Sequence, residues 1–300
     1  MSRTQYFLGG NTAHGFYSLF NSLCPPEQGD FLWVLKGGPG GGKSGFMKKI
    51  GCAAEERGLD VEYAFCSGDP NSLDAVYLPA LHTGYVDGTA PHVMEPRLPA
   101  VTGLYLDLGQ FCDRAALQAH SEELLKLQKA YQAQYRVAYR ILSAASGAAE
   151  AAAGIAHEPH LTLSPIRDTP GRLTRRFSRA LTCVGMFEAE KRAGQCIGSF
   201  ADLAALREHA LAAGYDVISH AHPLLPELTE RIDLPQTGQS FLADSAFLED
   251  CFSAFLCDAV QALAAARELH DELEAVYNPH VNYEMVSRLT EQHIHDLFGA

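Results

Sequence analysis

Nowhere in the chain do about 18 uncharged apolar residues follow one another, the length a helix needs to cross a bilayer. Residues 1–20 also lack the continuous apolar stretch of an export signal, so a cytoplasmic protein with no membrane partner is expected. The eight cysteines form no CxxC pair and no metal-finger spacing, and they are expected as reduced thiols. Positive charge is scarce: 23 Lys and Arg stand against 36 Asp and Glu, a formal net charge of -13. That balance argues against a broad nucleic-acid surface. No NKxD-type base-reading motif occurs, which speaks against GTP. What remains is an ordinary globular composition, 47% hydrophobic and 20% charged over 300 residues, with room for one large domain or two of medium size. An anionic ligand would have to be met locally.

One segment is built for that. Gly37, Gly38, Pro39, Gly40, Gly41, Gly42, Lys43 and Ser44 fit the pattern GxxxxGK[ST], followed by Gly45. The glycines let backbone N–H groups wrap phosphate oxygens closely, through conformations that a Cβ would obstruct. Lys43 would place its ammonium between the β- and γ-phosphates, and the Ser44 hydroxyl would ligate Mg²⁺. The context required of such a loop is present: an apolar, strand-like run at 31–35 enters it, and a helical pattern at 46–57, ended by Gly58, leaves it. The expected ligand is Mg·ATP.

Residues 60–66, 84–87 and 103–108 read as further strands, which suggests an α/β sheet of parallel type, a P-loop NTPase fold. Residues 113–153 read as a long helix or a hairpin, with a break expected near Gly147. The divisions expected are a nucleotide-binding unit with helical extension at 1–155, a linker at 156–172, and a second unit at 173–300.

The second unit reads as a degenerate copy of the first. Asp60, Val61, Pro70, Leu78 and Pro79 match Asp216, Val217, Pro226, Leu234 and Pro235 at one offset of 156, which also sets Met47 on Leu203 and Gly58 on Gly214. Upstream, Phe7, Thr12 and Gly15 match Phe177, Thr182 and Gly185 at an offset of 170, so about fourteen residues are missing from the copy. The gap is expected to remove both the glycine loop and the strand before it. Lys43 then corresponds to Ser199 and Ser44 to Phe200.

The loop needs a carboxylate on a neighbouring strand to hold the magnesium's water shell, and Asp87 ends an apolar pair suited to that, although Asp87-Gly88 is equally a turn dipeptide. Asp69 is a candidate for orienting a water or contacting magnesium, against a reading as turn chemistry with Pro70. Asp74 reads as the cap of a short helix, and His92 as a loop residue that would otherwise face the γ-phosphate. His220 and His222 would share a strand face but lack obvious co-ligands for a metal, and His293, His295 and Asp296 read as surface groups. Arg97, Arg136 and Arg140 receive no role as an arginine finger.

On residues 9–17, 35–44, 66–74 and 86–92, the chain resembles a family of bacterial P-loop ATPase-like proteins with two tandem, related halves. In that pattern the second half keeps its own loop, which is lost here, and Gly41 and Gly45 replace bulkier residues. The resemblance implies ATP binding with slow hydrolysis and no defined substrate. Two other functions fit the same motif: a small-molecule or nucleotide kinase in which Asp69 faces the acceptor, and a non-enzymatic nucleotide sensor or adaptor whose helices bind a protein partner.

Overall fold

The computed structural model describes residues 2–152, 161, 163–167 and 169–299, so the linker expected at 156–172 lies partly outside it. The first unit runs β1 (Arg3–Phe7), β2 (Gly9–Thr12), β3 (Gly15–Ser18), β4 (Phe31–Lys36), α1 (Lys43–Glu55), β5 (Val61–Phe65), β6 (Leu73–Leu78), β7 (Thr83–Asp87), β8 (Gly103–Asp107), α2 (Arg114–Ala119) and α3 (Ser121–Ala152). The second runs β9 (Leu173–Arg176), β10 (Arg179–Thr182), β11 (Gly185–Glu188), β12 (Gln195–Gly198), α4 (Phe200–Ala212), β13 (Val217–Ala221), β14 (Thr229–Leu234), β15 (Gln239–Ala243), α5 (Ala246–Tyr277) and α6 (Tyr283–Phe298). The protein is mixed α/β. Its sheets carry antiparallel as well as parallel pairs, where the sequence suggested parallel ones only.

The first sheet has the order β1-β5-β6-β7-β4-β8 and the second the order β12-β15-β14-β13-β9. Read from β9, the second repeats the first strand for strand, short only of a partner for β8 among the described residues. Directions repeat too: β1 is parallel to β5 as β9 is to β13, β6 is antiparallel to both neighbours as β14 is, and β4 is parallel to β7 as β12 is to β15. Even the hairpin turns match. Thr12 Oγ1 donates to the Gly15 carbonyl and Thr182 Oγ1 to that of Gly185, each at 2.8 Å.

The strand leading into the loop is not lost from the copy: β12 occupies the place of β4. Trp33 pairs with Tyr85, and Gln195 with Phe241, so the strand sits at an offset of 162. Eight residues are therefore missing between hairpin and strand, and six between strand and helix, the length of the stretch 37–42. The excision is of the loop itself. β12 escaped notice because Gln195–Gly198 is a short, half-exposed edge strand with no apolar run.

Strand β4 is covered on both faces. Leu35 packs with Phe46, Met47, Ile50 and Ala54 of α1, while Leu32 and Val34 join Phe7, Leu8, Phe20 and the second unit's Phe177. Phe7 and Phe177, equivalent residues, exchange both backbone hydrogen bonds at 2.9 Å, so a local pseudo-twofold axis passes between the units. The long helices extend the exchange. Tyr131 of α3 meets His270 of α5, and His120 meets His280, so the two helices run antiparallel. Ala138, Leu142 and Ala145 of α3 are buried among Leu203, Leu206 and Phe252 of the second unit. α5 in turn ends on the first unit's glycine loop. Helix α3 passes Gly147 without a break, and the interruption falls at His120 instead, between α2 and α3.

Candidate functional site

The register of the sheet assembles the site. Leu35 lies beside Asp87 and Lys36 beside Asp107, so the ends of three parallel strands, β7, β4 and β8, meet where residues 37–42 leave the sheet. Gly40 and Gly42 have φ of 65° and 86°, a left-handed backbone that favours glycine. The loop carries the chain straight into α1, which opens on Gly42 with no side-chain cap among the described residues. The first-turn amides of that helix are thus free of an intramolecular acceptor from a capping side chain. Its counterpart α4 differs: Ser199 accepts from the Asp202 amide at 3.2 Å and the Asp202 carboxylate accepts from Ser199 N at 2.8 Å, a closed capping box.

Lys43 folds back over the loop. Its Nζ donates to the carbonyls of Gly37 and Gly38, both at 2.9 Å, and lies 3.6 Å from Asp87 Oδ2. Asp87 accepts through Oδ1 from Thr89 N at 2.9 Å and Thr89 Oγ1 at 2.6 Å, which leaves Oδ2 facing the lysine. Ser44 Oγ accepts from Leu73 N at 3.0 Å, tying the start of α1 to the start of β6. Of the residues named from the sequence, Lys43 and Asp87 therefore lie together, and Ser44 is tied to the start of β6. Pro39, Gly41 and Gly45 complete the loop without side-chain polar groups of their own.

Asp69 is placed differently. Its carboxylate accepts from Asn71 N at 3.0 Å and Ser72 Oγ at 2.8 Å, and Arg267 of α5 pairs with it at 3.1 Å. That is the turn chemistry weighed against a catalytic role, closed by an ion pair. Asp74 caps no helix but lies in β6, buried. Burial pushes its carboxyl above the usual range, Asp87 adds to the rise, and His92, Cys66 and Lys43 oppose it. His92 is also buried, stacked on Phe20 at 4.8 Å, with Nε2 3.7 Å from Asp74 Oδ1.

The corner between α5 and α6 covers the loop, and no local sequence signal announced it. Tyr283 donates to the Gly40 carbonyl at 2.7 Å and to Asn278 Oδ1 at 2.8 Å, while a Cβ added at Gly38 or Gly40 would run into Tyr277 or Asn278. On the β8 side an open groove of about 520 Å³ is lined by residues 110–113, 279–282 and Met285. α5 also brings Arg267 and His270 near; Lys43 acts electrostatically on His270.

The remaining histidines belong to the scaffold. His293 is not a surface group: it packs edge-on to Trp33 at 4.8 Å, and Tyr85 Oη lies 3.3 Å from its Nδ1. His220 lies 2.9 Å from Asp233, itself bound by Arg231, and Nδ1 is 4.0 Å from Glu190, which pairs with Arg176; His222 accepts from the amides of Leu224 and Leu225 instead. The two histidines thus do not converge, and both carboxylates near His220 are already neutralised by arginine. Burial pushes His220 down to about 4 and His222 to about 3. Each is neutral when folded and regains an ordinary value near 6.5 when unfolded, so their stabilisation is complete above about pH 6.5 and is lost as pH falls below it. Between pH 7 and 5.5 urea unfolding should lose about 1 kcal/mol per histidine. His222→Gln should make that drop smaller by about the same amount; an unchanged drop would overturn the assignment.

In comparisons with known proteins, no family model, no curated protein and no solved structure matches this chain. No described helix is long and apolar enough to cross a membrane.

Proposed function

We propose that the chain is a cytoplasmic P-loop nucleotide-binding protein that holds Mg·ATP on residues 37–45 and hydrolyses it slowly. The observation that carries this reading is the contrast between two equivalent helix starts. α1 begins without a side-chain cap behind a glycine loop, with Lys43 and Ser44 at its first positions and Asp87 within 3.6 Å of the lysine. α4 begins where the loop has been excised, and its own Asp202 takes the place an anion would have. A helix N-terminus with free amides and a lysine beside it is suited to polyphosphate.

Ser44 would ligate the magnesium and Asp87 would hold its water shell, which neutralises the phosphates in a chain of net negative charge. Lys43 would exchange the two loop carbonyls for the β- and γ-phosphates. The groove beside Gln110, Asp113 and Asn282 would offer the nucleoside a seat on the β8 side. The kinase reading fits less well, because the Asp69 carboxylate is held by Ser72 and Arg267 and does not face an acceptor. The sensor reading is separated from hydrolysis by product analysis.

Titration with a non-hydrolysable ATP analogue and Mg²⁺ should saturate at one nucleotide per chain. Ala243 stands where Asp87 stands in the first unit, and Ser199 and Phe200 replace Lys43 and Ser44, so the second unit has no counterpart for any of the three. No binding at all would sink the proposal. A stoichiometry of two would show that the second unit has been misread.

A further inference from the structure

Two buried side chains at the edge of this site carry polar atoms without a hydrogen-bond partner among the described residues, although Asp74 also interacts with the Cys66 thiol. Asp74 is 4% exposed and His92 is 7% exposed. Among the described residues, Asp74 Oδ2 and both ring nitrogens of His92 make no hydrogen bond. Buried polar atoms are almost always satisfied, and the usual partner where protein supplies none is an ordered water or a ligand. The gap between the pair points the same way. His92 Nε2 and Asp74 Oδ1 are 3.7 Å apart, too far for a direct hydrogen bond, so each group keeps capacity for a molecule placed beside the pair.

Their position relates them to the phosphate end of the loop. Asp74 follows Leu73, whose amide donates to Ser44 Oγ at 3.0 Å. Ala75 pairs with Val86 across the antiparallel β6 and β7, so one further step of the register sets Asp74 opposite Asp87. Lys43 and Asp87 both act electrostatically on the Asp74 carboxyl.

The second unit supplies an internal control. At the offset of 156 Asp74 corresponds to Glu230, also fully buried. There the acid is locked: Arg179 donates to Glu230 through Nε at 3.1 Å and Nη2 at 2.8 Å. At the offset of 170 the residue corresponding to Arg179 is Gly9, which has no side chain to offer. The half that kept its loop thus leaves open an acid that the half without a loop neutralises.

We propose that Asp74 and His92 form the nucleophile pocket of this site, in which Asp74 accepts the proton of the water that attacks the γ-phosphate and His92 positions that water. The inference rests on the proposed ATP site. In the step, the water oxygen forms a bond to the γ-phosphorus and the bond from that phosphorus to the β–γ bridging oxygen breaks. The electron pair of the broken bond stays on ADP, and the water's proton passes to Asp74 Oδ2 and then to solvent. Asp74 is the catalytic group; His92 acts through the water and is a positioning residue. Its ring is kept in place by the stack on Phe20.

The test uses the full chain, with calorimetric binding of a non-hydrolysable ATP analogue in Mg²⁺ measured before phosphate release from ATP. Asp74→Asn keeps the volume and removes the proton acceptor. It should bind the analogue within about threefold of wild type and release phosphate at least about a hundredfold more slowly, the lower end of what a general base contributes. His92→Ala should slow release by about tenfold with unchanged analogue affinity, and His92→Gln, which returns an amide near the Nε2 position, should recover part of that loss. This pair decides the matter should Asp74→Asn fail to fold. Phosphate release by a folded Asp74→Asn at the wild-type rate overturns the inference, as does His92→Ala with wild-type turnover. Wild-type protein that binds the analogue but releases no phosphate overturns it too while leaving the binding site standing. Failure of wild type to bind the analogue removes the ATP site itself.

Discussion

Lys43→Ala is expected to weaken binding of an Mg·ATP analogue by at least about tenfold, since a charge-assisted hydrogen bond contributes about 1.5–3 kcal/mol. The lysine joins Asp87 to the loop: its Nζ spans Gly37 O, Gly38 O and Asp87 Oδ2. With phosphate bound, the ammonium would keep a charged partner on each side. The loop is also held from outside by Tyr277, Asn278 and Tyr283, so its backbone path should survive the substitution. Calorimetry decides the matter: unchanged affinity in a folded variant would remove Lys43, and with it the phosphate assignment.

Arg179→Ala should lower unfolding free energy by about 3 kcal/mol, because it leaves a buried charge with only its longer contacts to Arg192 at 3.4 Å and Ser178 at 3.3 Å among the described residues. Glu230 is completely buried and takes both of its strongest hydrogen bonds from this guanidinium, which also reaches Glu249 at 2.8 Å. The penalty belongs to the stranded carboxylate more than to the lost pair. Adding Glu230→Gln should therefore recover part of the loss in a double-mutant cycle. Urea unfolding of the four proteins provides the values, and a loss below about 1 kcal/mol would place Glu230 in better contact with water than its burial indicates.

The first unit's strand, loop and helix were legible because each rests on local rules: an apolar run at 31–35, glycines where side chains obstruct, and a helical pattern behind Lys43. The duplication was legible for a different reason. Fixed offsets survive even where no single element can be named, and they set Ser199 opposite Lys43 from the sequence alone. Strand β6 was missed because Leu73–Leu78 is buried on nearly every residue. Without alternation of apolar and polar positions the two-residue period is silent, and Asp74 was read for its capping chemistry instead.

Other parts of the site had no local signal to read. Tyr277, Asn278 and Tyr283 reach the loop from more than 200 residues downstream, and Arg267 reaches Asp69 from the middle of a helix whose pattern says only that one face is apolar. His293 was read as exposed from its spacing to His295, a rule that says which residues share a face but not what covers it. Gly147 is an expected interruption of α3, yet glycine in a helix costs only about 1 kcal/mol relative to alanine, and the burial of Leu142 and Ala145 one turn earlier offsets that.

The reciprocal burial of α3 and α5 bears on why a unit without its loop persists at all. Leu142 of the first unit fills the second unit's core, and the end of α5 supports the first unit's loop from outside. Mutational drift can therefore erase chemistry in one half at little cost to folding, while removal of that half would strip the surviving site of its outer support. The second unit's contribution then lies in packing: Phe252 and Leu203 are buried in the shared core, whereas no packing role there requires a stretch between β12 and α4.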